Sequence, residues 1–340
     1  MKRIHKESLK EALKAWEEKY RVIAPRLTER DERIFDTFDE AWFTLDYAKP
    51  SLPLKHALFP QSEAVFRVDQ GIYRQIIREE PALLFGIRSC DLKGMLQSLS
   101  FMTKDFDDRF YTLRAKNTAA IVMACPGQQS PTCFCTTTRS GPWADGGFDL
   151  QLYENGDSFL VEIGSSRGED LASSELFEDA SDPAAREKVT SFRRRAAQSI
   201  PLVPEIEQAM EKLRTTGAPD ELWERFGMKC ITCGGCSFVC PTCTCFNVSD
   251  RVLTEGSGER MRSWDACLYA GFTKEASGHN PRHSQALRIK RRHEHKLLYH
   301  GDRDTHGGLC TCVGCGRCSD YCPVHIGALE VARDMSAKIF

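Results

Sequence analysis

Eight cysteines in two runs carry the clearest chemistry in this 340-residue chain. Cys230, Cys233, Cys236 and Cys240-Pro241 form C-x2-C-x2-C-x3-C-P, and Cys312, Cys315, Cys318 and Cys322-Pro323 repeat the spacing. Such a run offers three thiolates from a tight loop to three corners of one [4Fe-4S] cube and its fourth thiolate to a second cube. The proline after the fourth cysteine keeps the chain from continuing as the same helix. The spacing therefore assigns Cys230, Cys233, Cys236 and Cys322 to one cluster, and Cys312, Cys315, Cys318 and Cys240 to the other. Structural zinc takes separated Cys/His pairs rather than four cysteines within eleven residues. Disulfides suit a small secreted chain, which this is not.

Four further cysteines, Cys90, Cys125, Cys133 and Cys135, are all that residues 1–204 contain. Cys90 follows one short apolar run, Ala82 to Ile87, and Cys125 ends a second, Ala119 to Ala124. If these are parallel neighbours, both thiols emerge at the carboxyl edge of the sheet, where α/β proteins place ligands. Cys133-Phe134-Cys135 lies on the following loop and can fold back over that edge. A third [4Fe-4S] centre is one reading; zinc and ordinary buried cysteine are the others. Cys243, Cys245, Cys267 and Cys310 read as packing around the clusters.

The elements that must position these residues follow from patterning. Asp91 to Ser100 reads as a helix between the two buried strands, a crossover suited to parallel pairing. Phe148 to Tyr153, Asn155-Gly156 and Phe159 to Ile163 read as a hairpin. Ser8 and Glu11 form a candidate capping box before Leu9, Leu13, Trp16 and Tyr20, a helical apolar face. Asp182 to Gln198 and Pro204 to Leu213 read as helices linking two domains, with a break at Thr215 to Pro219. The expected fold is α+β: a mixed α/β domain over residues 1–204, then an α-helical dicluster ferredoxin-like domain over 205–340. The long interval between the cysteine runs argues against a small βαββαβ ferredoxin. It holds a basic stretch from Arg282 to His300, with Arg288, Lys290, Arg291, Arg292 and Lys296 interleaved with His283, His293 and His295. A solvated helix face is the default for such a stretch. The functional alternative is electrostatic, with cations raising the potential of anionic clusters or docking an acidic partner.

Sixteen cysteines with no secretory signal point to the reducing cytoplasm. A net charge of −2 gives no bulk attraction to nucleic acid. No run approaches the ~20 apolar residues of a membrane-spanning helix, so direct membrane insertion is not expected. No G-x-G-x-x-G follows a strand, so flavin and nicotinamide should belong to a partner.

The chain resembles the beta subunit of cytoplasmic NiFe hydrogenases of the sulfhydrogenase type, and equally the corresponding iron–sulfur subunit of anaerobic sulfite reductase. The resemblance rests on Phe59 to Glu63, Arg88-Ser-Cys-Asp91, Cys125 with Thr132-Cys-Phe-Cys135, and Asp149 through Glu162. It continues over Cys230 to Phe246, Arg262 to Cys267, Gly278 to Arg282, His295-Lys296 and Cys312 to Pro323. It implies an electron conduit between a flavin subunit handling NAD(P)H and a terminal hydrogenase, sulfite reductase or heterodisulfide reductase subunit. It also brings Cys90, Cys125, Cys133 and Cys135 as a set, a third [4Fe-4S] cluster. Two other readings stand beside it. One is a self-sufficient reductase of sulfite or a sulfur compound, with Cys90, Asp91, Cys133 and Cys135 at a substrate site. The other is a metal-stabilised scaffold without a redox role.

Overall fold

Apolar runs with no polar interruption need cover on both faces, and they fix the centre of this fold. In the computed structural model, which describes residues 1–77, 79–299 and 307–337, twelve strands form two sheets. They are β1 (Lys2–His5), β2 (Arg21–Leu27), β3 (Arg33–Thr37), β4 (Ser62–Asp69), β5 (Ile72–Gln75), β6 (Ala82–Ile87), β7 (Thr118–Met123), β8 (Leu150–Asn155), β9 (Ser158–Ile163), β10 (Glu178–Asp179), β11 (Phe246–Thr254) and β12 (Ser257–Trp264). His300, the last residue of the basic stretch, lies outside the described residues.

The larger sheet has the order β10-β1-β9-β8-β7-β6-β2-β3. Its middle is parallel: β2 pairs β6, β6 pairs β7 and β7 pairs β8 in that sense. Every residue of β6 is buried, as a strand covered on both faces must be. Helix Ser89–Thr103 makes the crossover from β6. β8 and β9 close the expected hairpin, Asn155 opposite Ser158. Helix Leu9–Glu17 buries Leu9, Leu13 and Trp16 against this core; Ser8 caps it by position, but its side chain accepts no hydrogen bond, so the expected capping box does not form.

A second core runs from Val203 to Met335 and packs helices Pro204–Thr215, Asp220–Lys229, Gln285–Leu297 and Ala328–Ser336. Two features cross the 204/205 line. Phe134, on the loop after β7, belongs to this second core. The smaller sheet has the order β11-β12-β4-β5, so a hairpin from the second half pairs with a strand of the first. That hairpin is an element the sequence reading of the second half did not include; the α+β expectation holds. A buried carboxylate pins the junction: Glu63 on β4 accepts from Arg262 on β12 (2.6 and 3.0 Å) and from Arg114.

Candidate metal centres

The two cysteine runs fold into the same loop. Thr232 and Gly314, one residue before the second cysteine of each run, have φ of 56° and 58°. Gly234 and Gly316, one residue after it, have φ of 72° and 73°. Short helices Gly235–Phe238 and Arg317–Asp320 then carry the third cysteine. Cys230, Cys233, Cys236 and Cys322 line one cavity, with Leu268, Ile289 and Tyr321. Cys240 acts electrostatically on Cys315 and Cys318, and Cys318 on Cys312. Cys322 thus stands with the first three cysteines of the first run, and Cys240 beside Cys315 and Cys318 of the second.

The four N-terminal cysteines also meet. Cys90 sits in the first turn of helix Ser89–Thr103, directly after β6. Cys125 follows β7, its N–H held by the Pro142 carbonyl (2.9 Å). Cys133 acts electrostatically on Cys125, both act on Cys135, and Cys125 acts on Cys90. All four are buried. The loop is clamped from the second half: the Phe134 N–H donates to the Gly314 carbonyl (2.8 Å), and Lys49 Nζ bridges Cys133 Sγ (3.5 Å) and the Cys315 carbonyl. Arg317, between Cys315 and Cys318, grips Asp91 beside Cys90 through two hydrogen bonds (2.6 and 2.9 Å), with both side chains fully buried.

Do these residues suit iron–sulfur clusters? Hydrogen bonds donated to a sulfur favour its thiolate form, the form a cluster needs. Cys230 Sγ accepts from Gln285 Nε2 (3.2 Å) and the Thr232 N–H, Cys236 Sγ from Arg292 Nε (3.1 Å), and Cys318 and Cys322 Sγ from the Ala328 and Ile326 N–H groups. Buried cations surround the sets. Lys55, Arg88, Arg292 and Lys296 are 3–5% exposed, and none is paired with a carboxylate among the described residues. Lys55 and Lys296 rest on carbonyls of Cys243, Ser237 and Thr242. Buried unpaired charge is costly, and anionic thiolate-ligated clusters supply the missing counter-charge. Burial pushes the thiols of Cys90, Cys125, Cys312 and Cys318 up, and that of Cys315 up to about 11. Bound metal is what draws such thiols into the thiolate form. Among the described residues no three His, Cys, Asp or Glu groups close on a point as a single ion needs; a multinuclear cluster spans wider sets.

The comparisons agree with the donor chemistry. Residues 229–326 match the family model described as a 4Fe-4S dicluster domain. The second half carries a 4Fe-4S dicluster domain. Over nearly its whole length the chain is similar to sulfhydrogenase 2 subunit beta of Pyrococcus furiosus: 28% identity over 334 residues, 97% of this chain and 96% of that one. It is also similar to F420-dependent formate dehydrogenase subunit beta of Methanocaldococcus jannaschii, at 25% identity over 195 residues, 55% of this chain and 40% of that one. No solved structure matches. No helix among the described residues is long and apolar enough to cross a membrane.

The basic stretch of the dicluster domain corrects its default reading. Helix Gln285–Leu297 is not a solvated face: Arg288, Arg292, His293 and Lys296 are buried. Arg292 donates to Cys236 Sγ and, at 2.7 Å, to the Cys236 carbonyl. Burial and the adjacent Arg292 push His293 down to about 3, so it stays neutral. Lys49, Lys55 and the Asp91–Arg317 pair were missed from sequence. A lysine inside an apolar stretch, as in Leu54-Lys55-His56-Ala57-Leu58, was the only available signal.

Three remaining cysteines share a different cavity. Cys243, Cys245 and Cys267 line a space of about 390 Å³ with Arg282, Arg292, His295, Lys296 and several aromatic rings. A hydrogen bond from Cys245, then Arg292, Lys296 and Arg282, hold the Cys267 thiol down to about 6. Cys310 lies elsewhere, buried with its Sγ toward the Cys312 carbonyl (3.6 Å).

Proposed function

We propose that this chain is the iron–sulfur conduit of a multi-subunit oxidoreductase. The observation that carries the reading is contiguity. The N-terminal set (Cys90, Cys125, Cys133, Cys135) abuts Cys315 of the second set (Cys312, Cys315, Cys318, Cys240). The second set in turn abuts Cys236 of the first set (Cys230, Cys233, Cys236, Cys322) through Cys318. Each set would hold a [4Fe-4S] cluster, and bound clusters supply one-electron exchange. The chain's own residues bind the clusters, keep water from the inner sets, and set positive charge beside them through Lys49, Lys55, Arg292 and Lys296.

The two ends differ in access. Cys233 is exposed, and Met228, Ile231 and Tyr321 present apolar surface around that end. This supports an electron port there, facing a partner subunit. The names of the two relatives, subunits of a sulfhydrogenase and an F420-dependent formate dehydrogenase, support partner subunits of the hydrogenase or dehydrogenase kind; the absence of a G-x-G-x-x-G after a strand supports flavin and NAD(P)H being handled by another subunit. A substrate site at the N-terminal cysteines would need an open position. Cys90, Cys133 and Cys135 are buried and Asp91 is wholly engaged by Arg317, which favours the conduit.

Iron and acid-labile sulfide in anaerobically purified chain should each come to about twelve per chain, and about eight if the N-terminal set is empty. A count of about four would overturn the ligation of the dicluster domain. Cys133→Ser should remove one EPR signal and leave the others; an unchanged spectrum sinks the third centre. The isolated chain should not oxidise NAD(P)H.

A further inference from the structure

The cavity beside the cysteine sets has a polar end that metal binding does not explain. Among the described residues, Arg282 Nη1, Arg292 Nη1 and Thr311 Oγ1 are buried without a hydrogen-bond partner. All three residues line the same cavity, Arg292 at 3% and Thr311 at 8% exposed. Arg292 also faces Cys236, so its orphaned nitrogen has a second explanation. Arg282 and Thr311 do not line the cavity of the first set; Arg282 instead stands in the field of Cys267 in this cavity. A buried donor without an acceptor is costly, and Lys296 adds positive charge to the same wall. Aromatic rings, Phe101, Phe246, Phe272 and Tyr299, share the rest of the lining with the thiols of Cys243, Cys245 and Cys267. At about 390 Å³ the space lies in the range of small-molecule sites and exceeds what a bare ion fills. Cys267, Arg282, His295 and Lys296, none of them a ligand of the three sets, all line this wall.

We infer that this cavity binds a small molecule with an oxyanion head and an apolar body. The head accepts from Arg282 Nη1 and Thr311 Oγ1 and lies in the field of Lys296. The body packs among Phe246, Phe272 and Tyr299. Because Arg292 and Lys296 serve both the cavity and the cysteine sets, the occupant's charge opposes theirs and disfavours reduction of the neighbouring centres.

Calorimetric titration of the anaerobically purified, metal-loaded chain with phenyl phosphate and with inorganic phosphate tests this. Phenyl phosphate should bind more tightly. Arg282→Gln should weaken both about tenfold or more, the loss of one charge-assisted hydrogen bond. Phe272→Ala should weaken only phenyl phosphate. Iron content equal to that of the parent chain verifies that each variant folds. Saturating phenyl phosphate should also move a midpoint in an EPR-monitored redox titration to a more negative potential. Binding of neither probe, equal affinity for the two, or indifference to Arg282→Gln overturns the assignment; an unmoved midpoint overturns the link to the centres.

Discussion

The two cysteine runs have identical spacing and nearly identical backbones but opposite surroundings. The run at Cys230 reaches the surface at Cys233, and Thr232 takes its left-handed position beside that exposed end. The run at Cys312 is pressed against the first half of the chain. A Cβ at Gly314 would stand 2.6 Å from the Phe134 carbonyl oxygen, and one at Gly316 would run into Thr132. Spacing thus sets the loop that receives a cluster, while the neighbours of the loop set how deep it lies, how it is charged and whether it can face a partner.

The largest expected break in that comparison comes from ion pairs. Asp91→Asn leaves Arg317 buried and uncompensated and should cost about 3–5 kcal/mol in chemical denaturation. A pair on the helix that leads into the other run, Arg225–Asp334, is about one-third exposed on each side; Asp334→Asn should cost at most about 1 kcal/mol. Equal losses would show that the two runs are not differently seated. Next comes the glycine contrast. Gly314→Ala forces a carbonyl aside and should cost about 1–3 kcal/mol in a thermal melt. Thr232→Gly relieves a left-handed β-branched residue and should be neutral or stabilising by about 1 kcal/mol. The smallest effect is electronic. Arg292→Met removes the cation on Cys236 and should make one EPR-detected centre harder to reduce, with little change in melting; Lys49→Met should do the same for a different centre. If both variants shift the same signal, the sets are not separate.

Much of this was legible in sequence, for identifiable reasons. β6, β7 and their crossover helix announce themselves because unbroken apolar runs have few other fates, and the β8–β9 hairpin because Asn155-Gly156 favours one kind of turn. The meeting of Cys90 with Cys125 then follows from parallel pairing. The basic stretch misled because polarity predicts solvent only where no buried counter-charge exists. Arg292 and Lys296 are drawn inward by the cysteine sets, which helical periodicity does not register. The β11–β12 hairpin was missed because β11 is exposed along nearly all its length, so that the partial alternation of Phe246, Val248 and Val252 marks no buried face. Its one local signal was Glu255-Gly256, with Gly256 at φ 74°.

The pairing of β12 with β4 bears on how the molecule is made. Arg262 meets Glu63 across 199 residues, and contacts of such separation form late in folding. While the nascent chain is still short of β12, one edge of β4 is an open template for other strands. Under the proposed ligation the first set also waits for Cys322, and the second for Cys318, both well after β12. Under that ligation neither set can be completed before Cys318 and Cys322 are made, and arrest before β12 would release a chain that completes neither set and leaves that edge of β4 unguarded.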